Sequence, residues 1–372
     1  MKIITAILVA ALTMSCLCFK AHAVPDGMSG ISAQCAVVLN ADTGNVLFGK
    51  NAHTQRAMAS ITKIMTALIT LESGDLDRQF TVDKMAIKVE GTSMGLREGD
   101  IVTRRALCIG MLLPSGNDAA NAAAVNIAGS LGGFAELMNK RAAQVGMDDT
   151  HFANPSGLDE NGHYTTAYDM ALLTREALKN DDFRAICGMQ SAQVEFGAPP
   201  YKRTLYNSNK LLKMYDGCIG VKTGFTDNAR RCLVSAAERD GCTLIAVTLN
   251  APDDWNDHKA LLDGGFAMIR PVNVRINSFA AEVIGGAEDN VTIVPESRVV
   301  IGMTDAESRT LSVKYSTPPF VYADIEKGDM LGYADIYLGG SHIKRVGLIA
   351  ADSVERVAPE LTLWKRITHF FT

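Results

Sequence analysis

The chain has 372 residues, 47% of them hydrophobic, enough for one large core and a smaller second domain. A formal net charge of −5 argues against nucleic acid as a partner. Its seven histidines and eight cysteines show no metal-ligand spacing and no H-E-x-x-H, so neither a metal nor a cofactor is expected.

Met1-Lys2 supplies a short positive end, Ile3 to Leu17 is almost wholly apolar, and Ala21-His22-Ala23 reads as an A-x-A cleavage site. Residues 1–23 are therefore read as a signal peptide, too short for a comfortable membrane span, with an exported chain starting at Val24. An uncleaved anchor is the alternative. Losing Lys2 and Lys20, and no acidic residue, takes the net charge from −5 to −7. Cys35, Cys108, Cys187, Cys218, Cys232 and Cys242 remain. An even count in an exported chain permits disulfides, yet four of these sit in apolar stretches, so mostly free, buried thiols are expected.

Cys35 to Leu39 and Asn45 to Phe48 flank Asn40-Ala-Asp-Thr-Gly44 and predict a β-hairpin. From Ser60 to Glu72, apolar residues at Ile61, Ile64, Met65, Leu68 and Leu71 keep helical spacing with little charge on the other face, which predicts a core helix. A second helix starts at a Thr103 cap and stops at Pro114, and an alanine-rich third runs from about Ala119 to Ala128 before Gly129. Residues 115–117 then occupy the turn between two helices. Arg231 to Ala237 and Cys242 to Leu249, joined at Asp240-Gly241, predict a second hairpin. From about Arg275 short alternating runs replace the helical pattern, which predicts a small all-β domain over 273–357 after a larger domain over 24–272. In residues 358–372, Leu363, Trp364, Ile367, Phe370 and Phe371 share one arc of a helical wheel, with Lys365, Arg366 and His369 opposite. Such a tail can lie in a membrane interface or dock on the protein's own surface; the interface is the expectation.

Three short motifs carry the chemistry. Ser60 and Lys63, in Ser-Ile-Thr-Lys, are one helical turn apart and project within about 60° of each other, so hydroxyl and amine can meet. A serine hydroxyl needs a base, and lysine serves only where burial or a neighbouring cation lowers its pKa. Ser60 at a helix start would also sit among free backbone N–H groups suited to an oxyanion. Ser115-Gly116-Asn117 lies in a loop: Ser115 can relay a proton to the leaving group, while Asn117 can hold a substrate amide and orient Lys63. Lys222-Thr223-Gly224 precedes a predicted strand. There Lys222 can attract an anionic substrate end, Thr223 can hydrogen-bond a carboxylate, and Gly224 permits close backbone approach. Singly, each is equally a helix turn, a capping turn or an exposed turn.

Together and in this order, the motifs resemble those of penicillin-binding proteins and class A β-lactamases. The nearer resemblance is to the D-alanyl-D-alanine carboxypeptidases, over almost the whole mature chain. It extends to Gly91-Thr-Ser-Met-Gly-Leu, Ser115-Gly-Asn-Asp-Ala-Ala, Phe152-Ala-Asn-Pro-Ser-Gly-Leu, His163-Tyr-Thr-Thr-Ala, Gly220-Val-Lys-Thr-Gly-Phe-Thr and Lys327-Gly-Asp. The resemblance implies an α/β (α+β) fold of the β-lactamase/DD-peptidase type, an antiparallel sheet flanked by helices, with the β-rich domain and amphipathic tail appended. It also implies an activity: Ser60 attacks the penultimate D-Ala carbonyl of a peptidoglycan stem peptide with Lys63 as base. D-alanine leaves, protonated through Ser115 and Lys63, and water releases the acyl-enzyme. Lys222 and Thr223 would bind the terminal carboxylate, the backbone N–H groups of Ser60 and Phe225 would form the oxyanion hole, and β-lactams would acylate the same serine. The implied location is the outer face of the cytoplasmic membrane, held through the tail.

One departure stands out: where the family usually has glycine after Thr226-Asp-Asn-Ala, this chain has Arg230, followed by Arg231. Among other readings, a β-lactamase would need a glutamate-held water, and no E-x-x-L-N pattern lies between Asn117 and Lys222. A DD-endopeptidase shares every motif, and a non-catalytic peptidoglycan or β-lactam sensor would have no need of all of them.

Overall fold

A computed structural model describes residues 28–357; the expected signal peptide and amphipathic tail lie outside the described residues. Strands β1 (Cys35–Asn40) and β2 (Val46–Lys50) form the expected antiparallel hairpin. A 3-10 turn, Ala59–Thr62, then leads into α1 (Lys63–Glu72), which is buried from Lys63 through Leu71. The ribbon of β3 (Gln79–Thr81) and β4 (Ile101–Thr103) precedes α2 (Arg104–Leu112), capped as expected by Thr103, whose side chain accepts from Ala106 N. Helix α3 (Asn117–Ala128) ends where Gly129 turns left-handed.

The next stretch is mostly helical. It holds α4 (Leu131–Val145), α5 (Ala167–Ala177), α6 (Asp181–Cys187), the ribbon β5 (Ser191–Phe196) with β6 (Tyr201–Tyr206), and the short α7 (Leu211–Met214). Strands β7 (Cys218–Thr226), β8 (Arg230–Arg239) and β9 (Cys242–Leu249) follow, and α8 (Asp254–Met268) closes this part. The five-stranded antiparallel sheet has the order β2-β1-β9-β8-β7.

Strand alternation divides the core between the two sheet faces. Val37, Leu39, Val234, Ala236, Ile245 and Val247 pack into the cluster holding α1, α2, α3 and α5. On the opposite face, Ala36, Val38, Leu233, Leu244 and Ala246 pack with Leu261 and Leu262 of α8. With helices on both faces, β9 is buried at every position, which is why it carries no charged residue.

Beyond α8, β10 (Arg270–Asn273) leads to β11 (Phe279–Ile284), β12 (Asn290–Pro295) and β13 (Val300–Met303). The one-turn α9 (Asp305–Ser308), β14 (Leu311–Ser316), β15 (Phe320–Tyr322), β16 (Met330–Leu338) and β17 (Ser341–Ala350) complete the second body. A six-stranded sheet, β14-β16-β17-β12-β11-β15, carries its own apolar core, while β10 pairs with β13. Asn40 Nδ2 donates to Gly302 O at 2.7 Å and Gly302 N donates to Asp42 at 2.9 Å, so the turn after β1 is tied to β13. All six cysteines among the described residues are free thiols, and only Cys218 is more than slightly exposed.

Candidate active site

The nucleophile candidate does not open an α-helix. Ser60 lies in the 3-10 turn, entered through Ala59 at a φ of +49°, and Lys63 is the first residue of α1. In a 3-10 turn residues i and i+3 eclipse one another, so the departure brings the two side chains closer into line than an α-helix would. Lys63 Nζ lies 2.9 Å from Ser60 Oγ, 2.6 Å from Asn117 Oδ1 and 2.5 Å from the Ser156 carbonyl.

Those three neighbours define what the amine can do. The two carbonyl oxygens can only accept, so they take two N–H bonds; an uncharged amine then has a single lone pair left, and the remaining neighbour is the serine hydroxyl. Burial favours the uncharged state. Lys63 is 0% exposed, and desolvation, assisted by the nearby Lys222 charge and opposed by Asp118, holds its pKa well below that of an ordinary lysine.

Ser115 and Gly116 form the tight turn, with Ser115 at a φ of +70°, while Asn117 is already the first residue of α3 rather than a loop residue. Asn117 faces two ways: its oxygen accepts from Lys63 and its Nδ2 donates to Glu90 O at 2.7 Å. The hydroxyl of Ser115 accepts at 2.9 Å from Lys222 Nζ, which also donates to Thr223 O at 2.8 Å. Ser115 is thus hydrogen-bonded to Lys222, whereas the sequence predicts a partnership with Lys63. Lys222 is 1% exposed, and burial pushes its pKa down to about 7.

Lys222, Thr223 and Gly224 lie within the edge strand β7, not before a strand. A Cβ at Gly224 would lie 3.1 Å from both Ser60 N and Ile61 N, so the glycine lets β7 lie against the 3-10 turn. The backbone N–H of Ser60 is thereby set beside the strand that carries the N–H of Phe225. Ser60, Ser115, Thr223, Gly224 and Phe225 line one cleft of about 370 Å³, with the Phe225 ring exposed at its edge.

Several contributors lie in stretches that carry the resemblance, but the sequence attaches no role to them. The Ser156 carbonyl is placed by a turn in which Gly157, at a φ of +87°, is compulsory: a Cβ there would come within 2.1 Å of Ala59 O. Asp118 accepts from Met94 N, Gly95 N and Leu96 N, each at 2.9 Å, and from Ser93 Oγ at 2.5 Å, pinning the loop that brings Thr92 to the cleft. His163 Nδ1 accepts from Ala153 N at 3.0 Å, so the proton sits on Nε2 and is donated to Thr62 Oγ1 at 2.8 Å. Burial drops the His163 pKa to about 4. This histidine braces the turn that presents Ser60. Arg231, Asp254 and Trp255 complete one wall of the cleft.

Residues 20–253 match the family model described as D-alanyl-D-alanine carboxypeptidase, and residues 278–356 match that of the penicillin-binding protein 5 C-terminal domain. The D-alanyl-D-alanine carboxypeptidase DacF of Bacillus subtilis is 36% identical over 90% of this chain and 88% of its own length. DacC of Escherichia coli is 29% identical over 87% and 85%. Among solved structures, DacD from Francisella tularensis superposes with a TM-score of 0.62 at 26% identity, covering 88% of this chain and 94% of that one. The Streptomyces K15 DD-transpeptidase gives 0.61 at 33% identity, covering 64% and 98%. With a serine and a buried lysine in contact beside a Lys-Thr-Gly strand, and family matches over both bodies, this chain belongs to the D-alanyl-D-alanine carboxypeptidase family.

Proposed function

We propose that Ser60 is the nucleophile of a serine-type D-Ala-D-Ala carboxypeptidase, with Lys63 as its general base. The observation that supports this most is the coordination of Lys63: two carbonyl acceptors occupy its N–H groups and leave its lone pair for the Ser60 proton. Ser60 Oγ attacks the penultimate D-Ala carbonyl of a peptidoglycan stem peptide as its proton passes to Lys63 Nζ. The backbone N–H groups of Ser60 and Phe225 stabilise the oxyanion. As the tetrahedral adduct collapses, the D-alanine nitrogen leaves with a proton delivered from Lys63 by way of Ser115, whose hydroxyl is oriented by Lys222. Water, with Lys63 again as base, hydrolyses the ester and releases the trimmed peptide. Thr223 and the charge of Lys222 hold the terminal carboxylate, and Asn117 aligns the peptide amide.

A β-lactam carries its acyl group to the same serine, and covalent β-lactam binding is typical of the family. Export through residues 1–23, and attachment of the tail, residues 358–372, to the outer face of the cytoplasmic membrane, belong to the same reading. They are supported by the apolar leader and the amphipathic tail pattern.

The test is D-alanine release from a pentapeptide ending in D-Ala-D-Ala. Ser60→Ala should abolish release and penicillin labelling. Lys63→Ala should abolish release and slow acylation by at least about 100-fold. Near-parental acylation of Lys63→Ala would assign the base to another group.

A further inference from the structure

Two lysines sit at the chemical centre, yet both are buried and neither offers a planar fork of donors to a substrate's anionic end. Lys63 is enclosed by Ser60, Asn117 and Ser156, and Lys222, whose charge attracts the carboxylate, also donates to Ser115 and to its own strand. The cleft wall carries two further cations, Lys210 and Arg231. Lys210 is exposed on a flexible stem.

Arg231 is built in. It lies on β8 directly opposite Phe225 of β7, the residue after Lys222-Thr223-Gly224. Its backbone carbonyl accepts from Ala251 N at 2.9 Å. Asp254 fixes the guanidinium through one bond at 2.7 Å from Nη2, and the Trp255 ring lies 5.7 Å beneath it. The partners differ in exposure, 42% for the arginine side chain against 5% for the aspartate, so the aspartate is the buried anchor and the guanidinium its cleft-side face. Arg231 Nε is buried and has no acceptor. A planar fork with one donor anchored and others unclaimed is suited to receiving a carboxylate.

We propose that Arg231, together with the Thr223 hydroxyl, receives the free α-carboxylate of the substrate's last residue and so sets the preference for a chain end over an internal peptide bond. This deepens the carboxypeptidase reading and rests on it. An internal D-amino-acid amide brings no anion to this wall, leaving the guanidinium without its second acceptor, whereas a free carboxylate supplies it. Arg231 takes no part in the proton transfers. Its contribution is uniform binding, felt mainly in KM.

The experiment compares one stem-peptide substrate ending in D-Ala-D-Ala with the same peptide amidated at its C-terminus, following release of D-alanine or D-alaninamide. Arg231→Gln should lower kcat/KM for the free acid by about 100-fold, mostly through KM, and change the amide by less than about threefold, so that discrimination collapses. Arg231→Lys keeps the charge and loses the fork; it should fall between, and it carries the test if the glutamine variant does not fold. Lys210→Ala should keep the parental ratio. A parental ratio in the folded Arg231 variants, or a collapse in Lys210→Ala, overturns the proposal. If the parent releases nothing from either peptide, the carboxypeptidase reading itself has failed.

Discussion

At the scale of single residues, the site works through the charges around one amine. The Lys222 charge lowers the Lys63 pKa and Asp118 raises it, both secondary to burial. Reaction needs Lys63 unprotonated, so the acid limb of the rate follows the folded-state Lys63 pKa. Lys222→Gln removes a like charge, raises that pKa, and should move the acid limb of penicillin acylation to higher pH. Asp118→Asn removes the opposing charge and should move it lower. Stopped-flow acylation between pH 5 and 9 reads both; shifts in the same direction would mean that neither acts through Lys63. The family-unlike arginine is a separate matter. Arg230 is exposed and holds a φ of +59°, the left-handed region that a glycine occupies without steric cost. The conformation costs an arginine about 1–2 kcal/mol, partly offset by the greater freedom of glycine in the unfolded chain. Arg230→Gly should therefore raise stability by up to about 1 kcal/mol and leave acylation at the parental rate. A lower Tm would show that the arginine side chain contributes more than its backbone costs.

At the scale of elements, what could be read from the sequence depended on whether the signal was local. The first hairpin, the Thr103 cap, the Gly129 stop and the second hairpin's strand over Cys242–Leu249 follow from spacing, capping and burial, and each lies where expected. Strand β7 escaped because its glycines and lysine deny it an apolar pattern; its membership in the sheet comes from pairing with β8. The Ser60–Lys63 pair is visible as a motif, but the left-handed Ala59 that opens the 3-10 turn is not, since Gly157, which leaves room for the Ala59 carbonyl, lies 98 positions away in sequence (157 − 59). Asp118 stands in the stretch Ser115-Gly-Asn-Asp-Ala-Ala that carries the resemblance, with no role attached to it by the sequence. In the fold its carboxylate gathers three backbone N–H groups and a serine hydroxyl from the loop leading to Thr92. Asp118→Asn places an amide NH₂ against several of those donors and should cost about 3 kcal/mol. The loop through Ser93 and Leu96 should then become a site of limited proteolysis. Unchanged protection there would mean that neighbouring packing alone holds it.

At the scale of the whole molecule, buried basic groups shape acid stability, two enclosed histidines among them. His258 bridges the sheet to α8: its Nδ1 is 2.6 Å from Ser235 Oγ on β8 and its Nε2 is 2.9 Å from Thr248 Oγ1 on β9. Burial lowers its pKa to about 3, as it lowers that of His163 to about 4, against 6.5 for a solvated imidazole. Both are neutral when folded and take up protons when unfolded, so the unfolded chain binds more protons below pH 6.5 and stability falls as pH falls. Burial raises the carboxyl pKa of Asp42, Asp169 and Asp254, which works in the opposite sense, but from the lower carboxylate range. Between pH 6.5 and 5 the histidine share of the slope approaches roughly 2–3 kcal/mol per pH unit when both contribute in full, and the lowered pKa values of Lys63 and Lys222 act in the same sense. Urea unfolding at pH 7, 6 and 5 should show that decline, and His258→Gln should remove about half of the histidine share while lowering stability at pH 7. A slope unchanged in His258→Gln would mean that the Ser235–His258–Thr248 bridge opens to water before the sheet does.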